Sequence, residues 1–407
     1  MRVVVTGIGA VTPIGNTVAE YWQSLKDGVC GIDQITRYPL GEERFRLAAE
    51  IKNFDPAKVL DRAAGRKLDR FVQYALASTK EAYEDSGLAG TIADEDVGVY
   101  FGTGIGGIET LCKEDKAQLE NGMNFVSPQF VPKMIANIAA GNIAIKYHAK
   151  GSCIAVSTAC ATGTTAIGEA YRAIKHGYEK AVICGGAESA ITPLTVAGFG
   201  NCMALSESQD KDAASLPFDK RRGGFVLGEG AATLILEEYE HACARGAKIY
   251  AEVVGYGTYC DAHHITAPDP QAVAITRAIR CAAEELKDIS ADHIYVNAHG
   301  TGTHLNDLTE TKAFKNAFGQ DAYQLHISST KSMTAHMLGA AGAAEAIACM
   351  LALEEGIVPP TIHLLQPDEE CDLNYTPNVA VRADIRAALS TSLGFGGHNA
   401  CIAFKKL

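Results

Sequence analysis

Short apolar runs recur along the chain and alternate with longer stretches of helical periodicity. The runs at Val3–Thr6, Val97–Phe101, Ile154–Ser157, Ala181–Cys184 and Ala232–Leu236 read as strands. So do Ala251–Val254, Ile294–Asn297, His326–Ser328, Leu389–Ser392 and Ala400–Phe404. Between them, Ala161–His176, Ala272–Leu286 and Ala340–Glu355 repeat apolar residues at helical spacing. Alternation of this kind predicts an α/β layered fold. A faint echo runs through it. In each half a strand leads through a small-residue turn, AVSTACATG or HISSTKSMTAHMLGAAG, into an Ala-rich helix. Two similar, tightly packed halves are expected, 1–247 and 248–407, joined near Arg245–Tyr250.

Composition narrows the class. Hydrophobic residues are 47% of the 407 and charged residues 21%, which suits a globular protein and disfavours disorder. The formal charge of −12 argues against nucleic acid as a partner. No apolar stretch is long enough to span a membrane; the longest candidate, Met337 to Leu353, is interrupted by Glu345. The N-terminal run is broken by Thr6 and Gly7, too early for a signal-peptide core. A cytoplasmic protein is expected. The 12 cysteines form no C-x-x-C pair, and most lie in apolar runs, so they read as reduced thiols rather than disulfides or a zinc ribbon.

Four clusters could carry chemistry. Cys160 follows a strand and opens a helix, where unpaired N–H groups favour a thiolate and a lowered pKa. His299, in NAHGTGTH, ends a strand beside a Gly/Thr turn; His304 lies five residues on, without the H-E-x-x-H metal spacing. Lys331 and His336 stand between a strand and a small-residue helix, with Asp307 and Glu310 the obvious carboxylates for the lysine. Phe395 sits among Gly394, Gly396 and Gly397, a loop able to offer N–H donors and to move. One pattern misleads. Gly102, Gly104 and Gly107 spell G-x-G-x-x-G after a strand, but the acidic residue of a dinucleotide fingerprint is missing downstream. No metal site and no cofactor are expected.

Taken in order, these clusters resemble the β-ketoacyl-[acyl-carrier-protein] synthases, and among them the elongating enzyme of type II bacterial fatty-acid synthesis. VVVTGIGAVTPIG, AGFGNCMALS, PFDKRRGGFVLGEGA, VPPTIHL and GFGGHNACIAFKK carry the resemblance from end to end. It implies a thiolase-like five-layer αβαβα sandwich of two pseudo-duplicated halves. It implies Cys160 as nucleophile, His299 and His336 as the active-site histidines, Lys331 paired with Glu310, and Phe395 as a gating residue. The loop N–H of Phe395 would complete an oxyanion hole with that of Cys160. It also implies an acyl tunnel along Ile105, Phe130 and Phe199, with Thr266, Thr301 and Thr303 as further substrate-binding residues. Acyl carrier protein is the implied partner, docking on Arg62, Arg66, Lys67 and Arg70, and a homodimer the implied assembly. The chemistry suits the residues: a thiolate takes an acyl chain, and two imidazole donors stabilise the enolate left when malonyl loses CO2.

Leu393 stands where the family commonly has phenylalanine and Ala335 where glycine is common; Asn124, Phe125 and Met203 replace basic docking positions. A ketosynthase of a polyketide or polyene pathway would share the site. A non-catalytic chain-length subunit would lack Cys160, and a CoA thiolase would carry a second cysteine where His336 stands.

Overall fold

A computed structural model describes residues 1–60 and 65–407. Ten strands form one sheet: β1 Val3–Val11, β2 Val97–Gly102, β3 Cys153–Val156, β4 Ala181–Glu188 and β5 Gly230–Glu238 in the first half. The second half supplies β6 Ala251–Cys260, β7 Ile294–Asn297, β8 His326–Ser328, β9 Ala387–Gly394 and β10 His398–Lys405. All ten coincide with apolar runs of the sequence. Their order is β3-β2-β4-β5-β1 and then β6-β10-β9-β7-β8.

The halves repeat each other strand for strand. In the first, β1 and β5 are antiparallel, as are β5 and β4, while β4–β2 and β2–β3 are parallel. In the second, β6–β10 and β10–β9 are antiparallel, and β9–β7 and β7–β8 parallel. Each strand thus corresponds to the one five places later. A short antiparallel ladder, Val3 to Val5 against Val253 to Ala251, joins the halves.

Helices cover both half-sheets on both faces, because each strand buries alternate residues in opposite directions. The outer layer on the first half contains α1 Arg70–Ser86 and α2 Ile138–Tyr147. Between the half-sheets lie α3 Thr162–Lys175 and α6 Ala341–Glu355. On the far side lie α4 Val273–Ala282 and α5 His304–Phe318. On β4, Val182 and Cys184 enter the central core while Ala181 and Ile183 enter the first outer one. On β10, Ile402 and Phe404 face the centre and Cys401 and Ala403 the other outer core. Two outer cores, and a central one that encloses the middle helices, hold together five layers, α/β/α/β/α, as the resemblance implies.

Backbone proximity fixes the outer layers. A Cβ at Gly9 on β1 would lie 2.0 Å from the Ser78 carbonyl oxygen of α1, and one at Gly257 on β6 2.1 Å from that of Ala278 on α4. Only glycine lets helix and strand approach so closely. Helix α6 is buried from Ala341 to Leu353, with Glu345 its one charged residue over that span. Among the described residues no helix is long and apolar enough to cross a membrane.

Candidate active site

The candidate residues meet where strands of both halves end, the usual location of sites in sheets of this kind. Cys160 lies in the turn Ala159–Ala161 between β3 and α3. The turn is tight: Ala159 has φ 49°, and the Thr162 hydroxyl donates to the Ala159 carbonyl at 2.7 Å. His299 follows β7, Lys331 and His336 follow β8, and Phe395 follows β9. Cys160, His299, His336 and Phe395 line one cavity of about 340 Å³, together with Phe225, Leu393 and Asn399. Thr266, Thr301 and Thr303 line it as well, and the Thr301 and Thr303 hydroxyls are bonded at 2.9 Å.

The two imidazoles stand edge to face, their centroids 5.2 Å apart. Burial first, and the nearby Lys331 second, push both well below the usual histidine range, so both are neutral. The Leu338 N–H donates to His336 Nδ1 at 3.2 Å. The proton of the neutral ring therefore sits on Nε2, making that atom a donor. His299 is held through its backbone, whose N–H donates to Glu310 Oε1 at 2.7 Å and to the Thr391 hydroxyl at 3.2 Å.

Three expectations from the sequence need correction here. Lys331 does not pair with Glu310. Its ammonium is buried and ion-paired with Glu345 on α6. Glu310 instead accepts from the N–H groups of His299 and Gly300 and from Thr391, and burial lifts it to about 7. Asp307 is likewise used elsewhere, accepting the Phe218 N–H at 2.8 Å. Second, Cys160 is not an acidified thiol. Burial pushes it up to about 12, against the opposing influence of Lys331 and of the N–H groups of Phe395 and Cys160 itself. The helix end acts in the expected direction, but desolvation outweighs it.

Third, Ile105 and Phe130 do not line the cavity. Ile105 is 38% exposed. Phe199 stands behind the wall, its ring 5.5 Å from that of Phe225 and 6.2 Å from that of Phe395.

Glu188, at the end of β4, was not anticipated. It is fully buried and accepts from Gly104, Ile105, Gly339 and the Thr103 hydroxyl. Its carboxylate fills the cradle that a dinucleotide phosphate would need, which disposes of the G-x-G-x-x-G pattern physically. It also binds the loop after β2 to the turn that precedes α6. Ala335 adopts φ 55°, a left-handed conformation that explains why glycine suits that position.

Of the basic residues expected to dock carrier protein, Arg66 and Lys67 are exposed, and Lys133 Nζ donates to the Arg66 carbonyl at 2.7 Å. Arg70 is not free: its guanidinium forks onto Glu109 at 3.0 and 3.2 Å. Arg62 lies outside the described residues.

A buried thiol and two neutral imidazoles lining one cavity are the residue types that nucleophilic acyl transfer requires. Residues 1–242 match the β-ketoacyl synthase N-terminal domain and residues 250–365 the C-terminal domain. The chain is 50% identical to 3-oxoacyl-[acyl-carrier-protein] synthase 2 of Synechocystis, over 100% of this chain and 98% of that protein. It is 48% identical to the protein of the same name from Staphylococcus aureus strain MRSA252, with the same coverage. A β-ketoacyl synthase from Burkholderia phymatum superposes with a TM-score of 0.91 at 36% identity, covering 100% of this chain and 99% of that one. A type II PKS acyl-carrier protein in complex with its ketosynthase, bound to the hexaketide, superposes at 0.90 with 33% identity and the same coverage. The chain belongs to the β-ketoacyl synthase family.

Proposed function

We propose that this chain catalyses the decarboxylating condensation of an enzyme-bound acyl group with malonyl-[acyl-carrier protein], giving β-ketoacyl-[acyl-carrier protein] and CO2 in fatty-acid elongation. The observation that carries the residue roles is the single cavity holding Cys160 Sγ together with two imidazoles kept neutral by burial. In the first step Cys160 attacks the thioester carbon of acyl-carrier protein. The C–S bond to the carrier breaks, and the thiol proton ends on the departing carrier thiol. No free thiolate has to persist, which accommodates a thiol held at about 12. The oxyanion is received by the N–H groups of Cys160 and Phe395.

In the second step malonyl-carrier protein loses CO2. The electron pair of the broken C–C bond becomes an enolate, whose oxygen takes hydrogen bonds from His299 and His336. Neutral donors suit this role, since they need only donate and need not transfer a proton. The enolate carbon then attacks the Cys160 thioester, and the released thiolate is reprotonated from solvent. Lys331 keeps positive charge beside this anionic chemistry, and Phe395 closes the loop over it. Residues 1–247 thus bring the nucleophile and residues 248–407 the donors.

Carrier protein is proposed as the partner, docking on Arg66 and Lys67 with Lys133 beside them. For the assembly, a homodimer is favoured by the edge strand β3, which leaves Cys153, Ile154 and Ala155 exposed with no strand beyond them among the described residues. An unpaired apolar edge invites a second copy. Relatives at 48–50% identity favour fatty-acid elongation over a polyketide pathway, whose ketosynthase matches at 33%. The test is product analysis by mass spectrometry with acyl-carrier proteins of graded length and malonyl-carrier protein. Elongation by two carbons is expected; release of CO2 with no elongated product would overturn the proposal. Charge reversal at Arg66 and Lys67 should raise KM for carrier-bound substrates and spare small thioester mimics.

A further inference from the structure

We infer that Cys30, Asp212 and His363 form a binding site for a borderline-soft divalent cation such as Zn²⁺, outside the catalytic cavity and against the sequence expectation of no metal. One ligand atom from each lies within 4.8 Å of the others. Tetrahedral zinc with bonds of about 2.0–2.3 Å holds its ligand atoms roughly 3.3–3.8 Å apart. A contraction of about an ångström completes three corners, and the exposed Asp212 side leaves the fourth to water. Thiolate, imidazole and carboxylate is a donor set that selects zinc-like ions over magnesium or calcium. Two negative ligands neutralise the dication.

The imidazole is the second, independent sign. Its Nδ1 is buried without a hydrogen-bond partner, and its Nε2 lies 3.6 Å from Asp212 Oδ1, beyond a hydrogen bond. The ring therefore satisfies neither nitrogen within the protein. His363 adopts φ 63°, a left-handed conformation open to histidine in a turn. Its carbonyl accepts from Arg221 Nη2 at 3.0 Å, which fixes the backbone. Cys30 Sγ donates only a long hydrogen bond to a carbonyl, that of Lys211 at 3.9 Å.

The three ligands come from segments remote in sequence that grip one turn. Beside Cys30, the Gly31 N–H donates to the Met333 carbonyl at 2.8 Å. Beside Asp212, the Ser215 hydroxyl donates to the Lys331 carbonyl at 2.8 Å. Beside His363, the Ile362 N–H donates to the Ser332 hydroxyl at 3.0 Å. A cation here fastens all three segments around the turn that carries Lys331. Its role is that of a staple, stabilising the folded state in proportion to its occupancy.

The test uses the full-length protein, stripped with chelator and titrated with Co²⁺ and with Zn²⁺. Expected are one Co²⁺ per chain and a thiolate-to-cobalt charge-transfer band that is retained in Cys160→Ala and lost in Cys30→Ser. His363→Ala and Asp212→Asn should weaken binding at least about tenfold. In the unmutated protein, Zn²⁺ should slow alkylation of Cys30, read by peptide mass spectrometry, and raise the unfolding temperature. A band that survives in Cys30→Ser, unchanged affinity in His363→Ala, or unaltered alkylation of Cys30 overturns the proposal.

Discussion

Val156 ends β3 and Cys160 follows within one turn; Ser328 ends the corresponding strand β8 and Lys331 follows within one turn. Both lead into a central helix, α3 or α6, and both sit on the same repeated topology. The first place holds a thiol with small neighbours. The second holds a buried ammonium locked to Glu345, with His336 one step beyond. On the proposed mechanism one scaffold supplies the attacking group from one half and the charge-stabilising groups from the other. The two halves differ in the residues at these strand ends, while the ladders, the alternating strand faces and the glycine contacts of β1 and β6 are alike.

The largest expected effect removes the first half's share. Cys160→Ala should lower condensation by about 10⁴-fold or more, measured with carrier-bound substrates. Residual acylation, mapped by mass spectrometry to another cysteine, would break the division. On the second half, Glu345→Gln leaves the Lys331 charge buried and unpaired, and should cost about 3–5 kcal/mol of stability. A loss under about 1 kcal/mol in urea unfolding would mean that another group satisfies the lysine. Replacing His299 or His336 by Ala should slow CO2 release from malonyl-carrier protein about 10²–10³-fold; unaltered release would detach the imidazoles from decarboxylation.

A pH series sharpens the comparison further. Burial holds Glu310 up to about 7, against 4.5 for the free side chain. The folded chain keeps this proton where the unfolded chain has lost it. The stabilisation is therefore whole below pH 4.5 and is lost as pH rises through 7, about 3 kcal/mol in all. The histidines run the other way: held below 6.5 when folded, they favour the folded state above pH 6.5 and lose that share as pH falls. The stability of the natural protein minus that of Glu310→Gln should decline between pH 4.5 and 7. A difference that stays flat would show Glu310 ionised throughout. The smallest effects test the repeat itself. Gly9→Ala and Gly257→Ala should each cost about 1–3 kcal/mol through overpacking against backbone, and in similar measure. A large cost at one and none at the other would deny the equivalence of β1 and β6.

The strands were legible because each is a short apolar run between breakers, and a buried strand needs nothing more to be seen. Cys160, His299, His336 and Phe395 were legible because small residues and glycines surround them at strand ends. The partner of Lys331 was not. Glu310 and Asp307 stand in a visible polar cluster, whereas Glu345 reads as a blemish in an Ala-rich helix. A lone carboxylate at a wholly apolar position was the available signal, since such a group needs a buried cation. The thiol's environment was hidden for a related reason. A helix start is written locally, but the burial that overrides it comes from segments remote in sequence, from Ala190 and Phe225 to Leu338 and Phe395. Arg70 looked free because Glu109, its partner, lies on another helix.

The ladders of β1 have a consequence for how the chain comes into being. Residues 3–11 are made long before their two neighbours, residues 230–238 and 251–260. At about 5–20 residues per second, the strand waits roughly ten to fifty seconds for its first partner to be synthesised. Throughout that interval VVVTGIGAV, every residue of which is buried at the end, stands as an unpaired apolar edge. The segment that joins the two half-sheets is thus made long before it is satisfied, so the nascent chain depends on shielding of that strand.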